Sequence, residues 1–209
     1  MNPEKKRLWN ELIAAWSGDT PACQIYLAEI FTQRFPSDAF GWIILADGLT
    51  HISSFNGAHN ALCSALRRSS REHRDLVYSK AGNYYREKGD LVRAERWYRK
   101  AVEIAPSQEN LVFLGACLAK QGRYAESRYY HEKAAIANPE EADEALFNLG
   151  LLCRAESRFV EALRYFEKAI EIDSDYEDAK VARDDIHQLL KIRSSKMGIS
   201  HRKKKVSDI

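Results

Sequence analysis

The chain has 209 residues, of which 45% are hydrophobic and 30% charged, with 10 Gly, 5 Pro and a formal net charge of +2. This composition is typical of a helix-rich globular protein and excludes a chain that is disordered throughout. No segment approaches the roughly 18 continuous apolar residues of a membrane span. The basic N-terminal stretch also lacks the apolar run of a signal peptide, so we expect a cytoplasmic protein without membrane contact.

The predicted helices come in pairs along the chain. The first pair, residues 5–36, is a degenerate hairpin built on Trp9, Leu12 and Trp16. From residue 39 onward one template recurs: an aromatic residue or Leu, then Leu or Ala followed by Gly or Ala, then another apolar or aromatic residue. Its four copies are Trp42-Leu45-Ala46-Leu49, Tyr78-Ala81-Gly82-Tyr85, Leu111-Leu114-Gly115-Leu118 and Leu146-Leu149-Gly150-Cys153.

Each of these first helices is followed by a second helix that carries a small, a large and another small residue. The four sets are Ala58-Leu62-Ala65, Ala94-Tyr98-Ala101, Ser127-His131-Ala134 and Ala162-Phe166-Ala169. Positions 46, 82, 115 and 150 are separated by 36, 33 and 35 residues, while the paired small residues keep an offset of 12. Small residues allow helices to approach closely, and the apolar positions form a stripe that only stacked hairpins can bury.

On these residues the chain resembles the tetratricopeptide repeat family. The strong copies are residues 75–107, 108–141 and 143–175, and residues 39–74 are a divergent copy. The resemblance implies an all-α fold, a right-handed superhelical solenoid of antiparallel helix pairs that extends over residues 1–192.

A cap and a tail are predicted beyond the repeats. Residues 175–192 should form one further helix that covers the last apolar face. Residues 193–209 are expected to be disordered. The segment 191–209 carries seven Lys and Arg against one Asp, a net charge of +6, which leaves −4 for residues 1–190. The tail could contact an acidic surface or a polynucleotide, although a solvated tail is the common alternative. Its basic residues are Arg202, Lys203, Lys204 and Lys205.

The resemblance also implies where a partner would bind, because the first helices of such repeats line the concave face of the superhelix. Carried over position by position, this groove includes Phe40, Ile43, Ile44, Asp47, Ser79, Lys80, Asn83, Arg86, Val112, Phe113, Ala116, Phe147, Asn148, Leu151 and Arg154. Large apolar side chains ringed by cations predict a partner with hydrophobic anchors and some acidic character. The alternative is that these side chains pack on one another or under the first hairpin.

We therefore expect a non-catalytic adaptor or scaffold that holds a peptide or an amphipathic helix of another protein. Binding of heat-shock chaperone tails by a two-carboxylate clamp is not expected, because only the first clamp asparagine is matched, by Asn83. Two alternatives stay open. One is a nucleic-acid- or ribosome-associated factor that uses the basic tail, and the other is an oligomeric scaffold that self-associates through the terminal helix or the groove.

No metal site, cofactor or catalytic group is predicted. The cysteines Cys23, Cys63, Cys117 and Cys153 are far apart in sequence, and they are expected to be small, reduced core residues within helices. The six histidines are dispersed, and His131 falls on a core position of the template. Basic-aromatic strings such as residues 96–100 could stack on nucleic acid. The family already places aromatic residues there for packing, so nucleic-acid binding by these strings is the weaker interpretation.

Overall fold

The computed structural model describes residues 2–18, 20–71 and 74–206, with the backbone alone for residues 196–206. Every regular element in that part of the chain is helical. The α-helices there are, in order, α1 (Pro3–Trp16), α2 (Pro21–Arg34), α3 (Ala39–His51), α4 (Phe55–Arg68), α5 (Arg74–Glu87), α6 (Leu91–Ile104), α7 (Gln108–Lys120), α8 (Tyr124–Ala137), α9 (Asp143–Ala155), α10 (Phe159–Ile172) and α11 (Glu177–Val206). A short 3₁₀ helix, Pro139–Glu141, precedes α9.

The helices form two compact units, Met1–Arg123 and Tyr124–Ile209. In the first unit α1 pairs with α2, α3 with α4 and α5 with α6, and α7 packs against α6. In the second unit α9 contacts α8 and pairs with α10, and α10 contacts α11. The predicted copy 108–141 therefore contributes α7 to the first unit and α8 to the second.

Helix starts are set by short polar side chains and by proline. The carboxylate of Asp90 accepts a hydrogen bond from the backbone N–H of Arg93 at 2.9 Å, and the hydroxyl of Ser107 accepts one from that of Asn110 at 3.3 Å. Each satisfies an N–H group that the first turn of a helix leaves unpaired. Helices α1 and α2 both begin with proline, whose fixed φ suits this position.

Two hairpins, α5 with α6 and α9 with α10, are built on a close approach between a glycine and an aromatic ring. A Cβ atom at Gly82 of α5 would overlap the ring of Tyr98 on α6, and one at Gly150 of α9 would overlap the ring of Phe166 on α10. Both rings are fully buried, at 0% exposure. Glycine at this template position therefore lets the large side chain of the second helix cross directly over the backbone of the first.

The turns after the first helices share one backbone conformation. Ser53, Gly89, Gly122 and Ser157 have φ angles of 58°, 78°, 76° and 61°, and they recur with the same spacing as template positions 46, 82, 115 and 150. Glycine adopts this left-handed conformation without strain, whereas a serine there costs on the order of 1 kcal/mol. The periodicity of the sequence thus extends to the turns.

A partly buried carboxylate connects α6 with the end of α7. Glu95 accepts hydrogen bonds from Arg99 at 2.8 Å, Gln121 at 2.9 Å and Arg123 at 2.7 Å. Burial alone would raise the pKa of Glu95, but the three hydrogen bonds outweigh it and hold the pKa below its usual range. This network stabilises the C-terminal end of the first unit.

The degenerate hairpin predicted over residues 5–36 falls on α1 and α2. Its side chains Leu12, Ala28 and Phe31 are fully buried in one apolar cluster with residues of α3 and α4. Trp9 and Trp16 pack against the same cluster and stay partly exposed. The first hairpin therefore shares its core with the next one.

The last helix is longer than the sequence predicts. A cap was expected over residues 175–192 and a disordered segment from residue 193, but the backbone of α11 is helical from Glu177 to Val206. Ala179, Ala182 and Ile186 are its buried residues, so only the first three turns or so act as the cap. Residues 207–209 lie outside the described part of the chain.

His131 on α8 is fully buried, as its template position predicts, and neither ring nitrogen has a hydrogen-bond partner. Burial disfavours the charged imidazolium and lowers the pKa of His131 to about 4. The imidazole is therefore neutral in the folded protein at neutral pH.

The Gly82→Ala substitution tests the close approach at the hairpin crossing. Alanine is the better helix former by up to about 1 kcal/mol, but here its methyl group would overlap Tyr98. We expect a loss of about 1–3 kcal/mol in the free energy of unfolding, measured by urea denaturation. The control is Gly18→Ala, since a Cβ at Gly18 meets neighbours at 3.5 Å or more. An increase in stability for Gly82→Ala would show that the hairpin has room for the methyl group.

The buried His131 should make stability depend on pH. The unfolded chain binds a proton near pH 6.5 and the folded chain only near pH 4, so this contribution is complete above pH 6.5 and decreases as the pH falls towards 4. Between pH 7 and pH 4.5 the loss from this group should be about 2 kcal/mol. The His131→Leu variant should lack this component, so its stability should exceed that of the wild type most at low pH. Equal pH slopes for the two proteins would contradict a neutral buried imidazole.

Candidate functional site

The first helices of successive hairpins lie side by side in the first unit. Helix α3 contacts α5, and α5 contacts α7. Helix α1 reaches α3 through aromatic side chains: the ring centroids of Trp9 and Trp16 lie 4.7 and 5.3 Å from that of Phe40. We call the surface formed by α1, α3, α5 and α7 the odd-helix face of the first unit.

A buried ion pair lies in this face. The ammonium of Lys80 on α5 is 3.1 Å from one carboxylate oxygen of Asp47 on α3, and the two side chains are 11% and 8% exposed. The indole N–H of Trp16 on α1 donates a hydrogen bond of 2.9 Å to the other carboxylate oxygen. Lys80 also lies 5.3 Å from the centroid of the Trp16 ring. This cluster, Trp16, Asp47 and Lys80, connects three consecutive odd helices.

The cluster changes the role of two residues predicted to contact a partner. Asp47 and Lys80 neutralise each other, and Trp16 occupies the second oxygen of the carboxylate. A partner would have to break a buried ion pair to reach either charge, which is costly because the other charge would be left unpaired. For these two residues the alternative of packing under the first hairpin holds.

Four residues assigned to the groove are core residues instead. Ile43 is 3% exposed and clusters with Ala65 and Val77. Ile44, Ser79 and Val112 are 0%, 1% and 2% exposed. Their side chains are used in packing between helices, so none of the four is open to a partner. This corrects their assignment as direct partner contacts.

Three other predicted residues of the first unit remain partly accessible. Asn83 is half-buried, and its side-chain oxygen accepts a hydrogen bond of 2.7 Å from the hydroxyl of Tyr98. Arg86 is half-buried and pairs with Glu87 at 3.1 Å. Phe113 is half-buried, with its ring centroid 5.8 Å from that of Tyr98. A surface that combines an aromatic ring, an amide and a guanidinium is therefore open on α5 and α7.

A cleft opens at the other end of the odd-helix face, between the N-terminal ends of α3 and α5 and the C-terminal end of α4. Its volume is about 520 Å³. Its apolar lining is Phe40, Ile43 and Leu76, and its rim includes Asp38, Ala39, Arg68, Ser69, Ser70 and Asp75. Volumes of roughly 300–1,000 Å³ with an apolar lining and a few polar groups are typical of binding sites.

The charged side chains at the rim of this cleft differ in whether they already have partners within the protein. Asp38 accepts a hydrogen bond from the backbone N–H of Phe40 at 2.9 Å and pairs with Lys5 at 2.7 Å. Arg68 donates a hydrogen bond of 2.9 Å to the carbonyl of Ser64. Asp75 is half-buried, and no ion pair involving it occurs among the described residues.

Of the three residues named as the apolar lining, Leu76 is the one that the sequence analysis did not assign to the groove. It precedes Tyr78 by two residues, as Phe40 precedes Trp42. The repeat register therefore contained the signal for Leu76, because Phe40 was assigned to the groove at the equivalent position. The involvement of Trp16 has no such signal, since the first hairpin departs from the template.

The second unit places its predicted residues on α9. Phe147 is half-buried, with its ring centroid 5.7 Å from that of Phe166 and 5.1 Å from that of Tyr176. Leu151 packs partly buried against the same cluster. Asn148 is half-buried and Arg154 is exposed. Phe147 and Leu151 thus combine a structural role with partial exposure.

The basic residues Arg202, Lys203, Lys204 and Lys205 lie on the helical backbone of α11, and their side chains are outside the described part of the chain. Among the residues described, no group of three or more His, Cys, Asp or Glu side chains is placed to hold a metal ion. Cys117 and Cys153 are buried as predicted, but Cys23 is exposed and Cys63 half-buried, so the expectation of core positions is wrong for these two cysteines. In the same part of the chain, none of the helices combines the length and the apolar character needed to cross a membrane.

The chain matches models of the tetratricopeptide repeat over residues 77–108 and 108–175. The TPR repeat-containing protein MJ1428 of Methanocaldococcus jannaschii is 26% identical over 161 residues, which are 77% of this chain and 28% of that protein. This chain thus spans about a quarter of the length of that relative.

Two solved structures show the same helical fold. A TPR protein of Thermus thermophilus, TTC0263, superposes with a TM-score of 0.76 at 17% identity and covers 88% of this chain and 99% of its own. YrrB, described as a TPR protein with an unusual peptide-binding site, superposes with a TM-score of 0.56 at 23% identity and covers 78% of this chain and 84% of its own.

Removal of Asp47 tests the structural role of the buried cluster. Asp47→Ala leaves the nearly buried Lys80 without its counter-charge, so the free energy of unfolding should fall by about 3 kcal/mol. The double variant Asp47→Ala/Lys80→Met should recover much of this loss, because no buried charge remains. Urea denaturation measures both.

The matched control is Glu11→Ala, which removes an exposed ion pair with Arg7 whose atoms are 3.8 Å apart. It should cost less than about 1 kcal/mol. If Asp47→Ala were as mild as this control, Asp47 and Lys80 would be free to serve as partner contacts.

Proposed function

Because the chain belongs to the tetratricopeptide repeat family, we propose that it is a non-catalytic adaptor that binds a peptide or helix of another protein with its first helices. The observation that carries this proposal is the apolar cleft between α3, α4 and α5. Phe40 and Leu76, both partly exposed, lie on opposite helices of this cleft and could hold a single large apolar side chain.

The rest of the odd-helix face would contact the remainder of the bound segment. Asn83, Arg86 and Phe113 offer an amide, a cation and a ring on α5 and α7. A bound backbone needs polar groups of this kind for its own N–H and C=O groups, and an apolar anchor supplies most of the affinity. Asp47, Lys80 and Val112 would then support the face from beneath and make no direct contact.

The second unit offers an equivalent surface on α9. Phe147 and Leu151 expose part of an apolar patch, with Asn148 and Arg154 beside it. The peptide-binding site of YrrB supports a peptide as the class of ligand for this fold. We place the protein in the cytoplasm, because all four of its cysteines are free and the cytoplasm keeps thiols reduced.

A steric block of the cleft tests the proposal. Ala39 is the first residue of α3, half-buried at the rim of the cleft, so Ala39→Trp should fill the cleft without removing a core contact. Peptides selected from a random display library against the wild type should bind Ala39→Trp at least about 10-fold more weakly, a difference of about 1.4 kcal/mol. Fluorescence anisotropy of the labelled peptides measures the affinities.

The matched control is Val92→Trp, which adds the same ring near the start of α6 at a side chain that is 58% exposed. It should leave the affinity unchanged, and circular dichroism should show both variants folded. Selected peptides that bind Ala39→Trp as tightly as the wild type would remove the cleft from the proposal. Enrichment of no peptide, together with a concentration-dependent dimer in light scattering, would favour self-association instead.

A further inference from the structure

Helix α11 changes character along its length. Its first half packs on the second unit through Ala179, Ala182 and Ile186, which are 0%, 4% and 2% exposed. From Lys191 to Ser195 every side chain is exposed. The helix therefore continues beyond the surface that it caps, and burial does not explain this continuation.

The ion pairs of α11 follow the same division. In the first half, Lys180 pairs with Glu177 at 2.6 Å and Arg183 with Asp184 at 2.8 Å. In the second half, the described cations Lys191 and Arg193 make no such pair within the described part of the chain.

The sequence of the second half contains no counter-charge of its own. From Ile186 to Ser207 there is no Asp or Glu, whereas residues 191–206 contain seven Lys and Arg. A helix of this length extends about 24 Å at about 1.5 Å per residue. Cations within the last turn are favoured by the helix dipole, but Lys191, Arg193 and Lys196 lie well before that turn and need another explanation.

We propose that residues 191–206 form a cationic arm that binds the phosphate backbone of a nucleic acid without reading its bases. This surface is separate from the cleft and goes beyond the adaptor function. Seven cations along one helix match the regular negative charge of a phosphodiester chain. Residues 191–209 carry a net charge of +6, whereas residues 124–190 carry −8 and residues 1–123 carry +4, so positive charge is densest in the arm.

The pattern favours nucleic acid over an anionic membrane surface. A helix that lies in a membrane interface needs a continuous apolar face. Residues 200–205 contain four cations and no apolar residue, so the sequence of this run offers no apolar face, whereas a phosphate backbone needs only dense positive charge.

The test compares the full-length protein with a variant in which Arg202, Lys203, Lys204 and Lys205 are all replaced by Gln. Gln removes the charge and keeps a similar helix propensity. The probe is fluorescein-labelled polyuridine RNA of about 20 nucleotides, followed by anisotropy in a salt series. The wild type should bind with an affinity that falls steeply with salt, and four lost contacts should lower the log–log slope by about 3 and weaken binding on the order of 100-fold at low salt.

The charge-matched control replaces four exposed cations of the body by Gln, namely Arg67, Arg96, Arg164 and Lys168. It removes the same net charge, so a general electrostatic effect would weaken binding equally in both variants. Equal losses, an unchanged affinity of the arm variant, or binding to phosphatidylserine vesicles without binding to RNA would each overturn the proposal. A loss confined to the arm variant, with peptide binding in the cleft unchanged, is the expected result.

Discussion

Two hairpins of this protein, α5 with α6 and α9 with α10, depend on the contact between a helix backbone and an aromatic ring. Gly82 lies against Tyr98 and Gly150 against Phe166, and each ring excludes any larger residue from the facing position. The helices of a pair are held at one distance and one register, because interiors are packed too densely for the ring to move aside. The constant offset between the small residues of the two helices in each copy reflects a fixed arrangement of the helices. This arrangement determines where the exposed surfaces of the hairpin lie.

This packing decides which side chains remain for binding. The apolar stripe of the first helices is used between hairpins, so Ile43 and Val112 are buried. Trp16 and the ion pair of Asp47 with Lys80 close the middle of the odd-helix face. What stays accessible lies at the edges: the cleft beside Phe40 and the open residues around Phe113. The binding surface of a repeat protein thus consists of the side chains that packing between hairpins does not use. These side chains differ between copies even where the template residues are the same.

Most of the fold could be predicted from the sequence, because the repeat is a packing rule with a fixed spacing. The pairing of helices, the buried position of His131 and the glycine crossings all follow from this spacing. The site was less predictable. The template does not show that Trp16 would reach Asp47, since the first hairpin lacks the template residues and contributes through a side chain at a helix end. Nor does composition alone show where a charged helix stops, and α11 continues to Val206.

Because charge is distributed differently in the cleft and on α11, binding at the two proposed surfaces should differ in its dependence on salt. In the cleft, binding would depend on the shape of an apolar cavity beside the carboxylate of Asp75, so affinity should depend little on salt. On α11, the side chains of residues 191–195 are exposed, and attraction to exposed cations is long-ranged and screened by salt. Residues 1–123, which include the cleft, carry a net charge of +4, and residues 124–190 carry −8. Added salt should therefore weaken a contact on α11 more than one in the cleft.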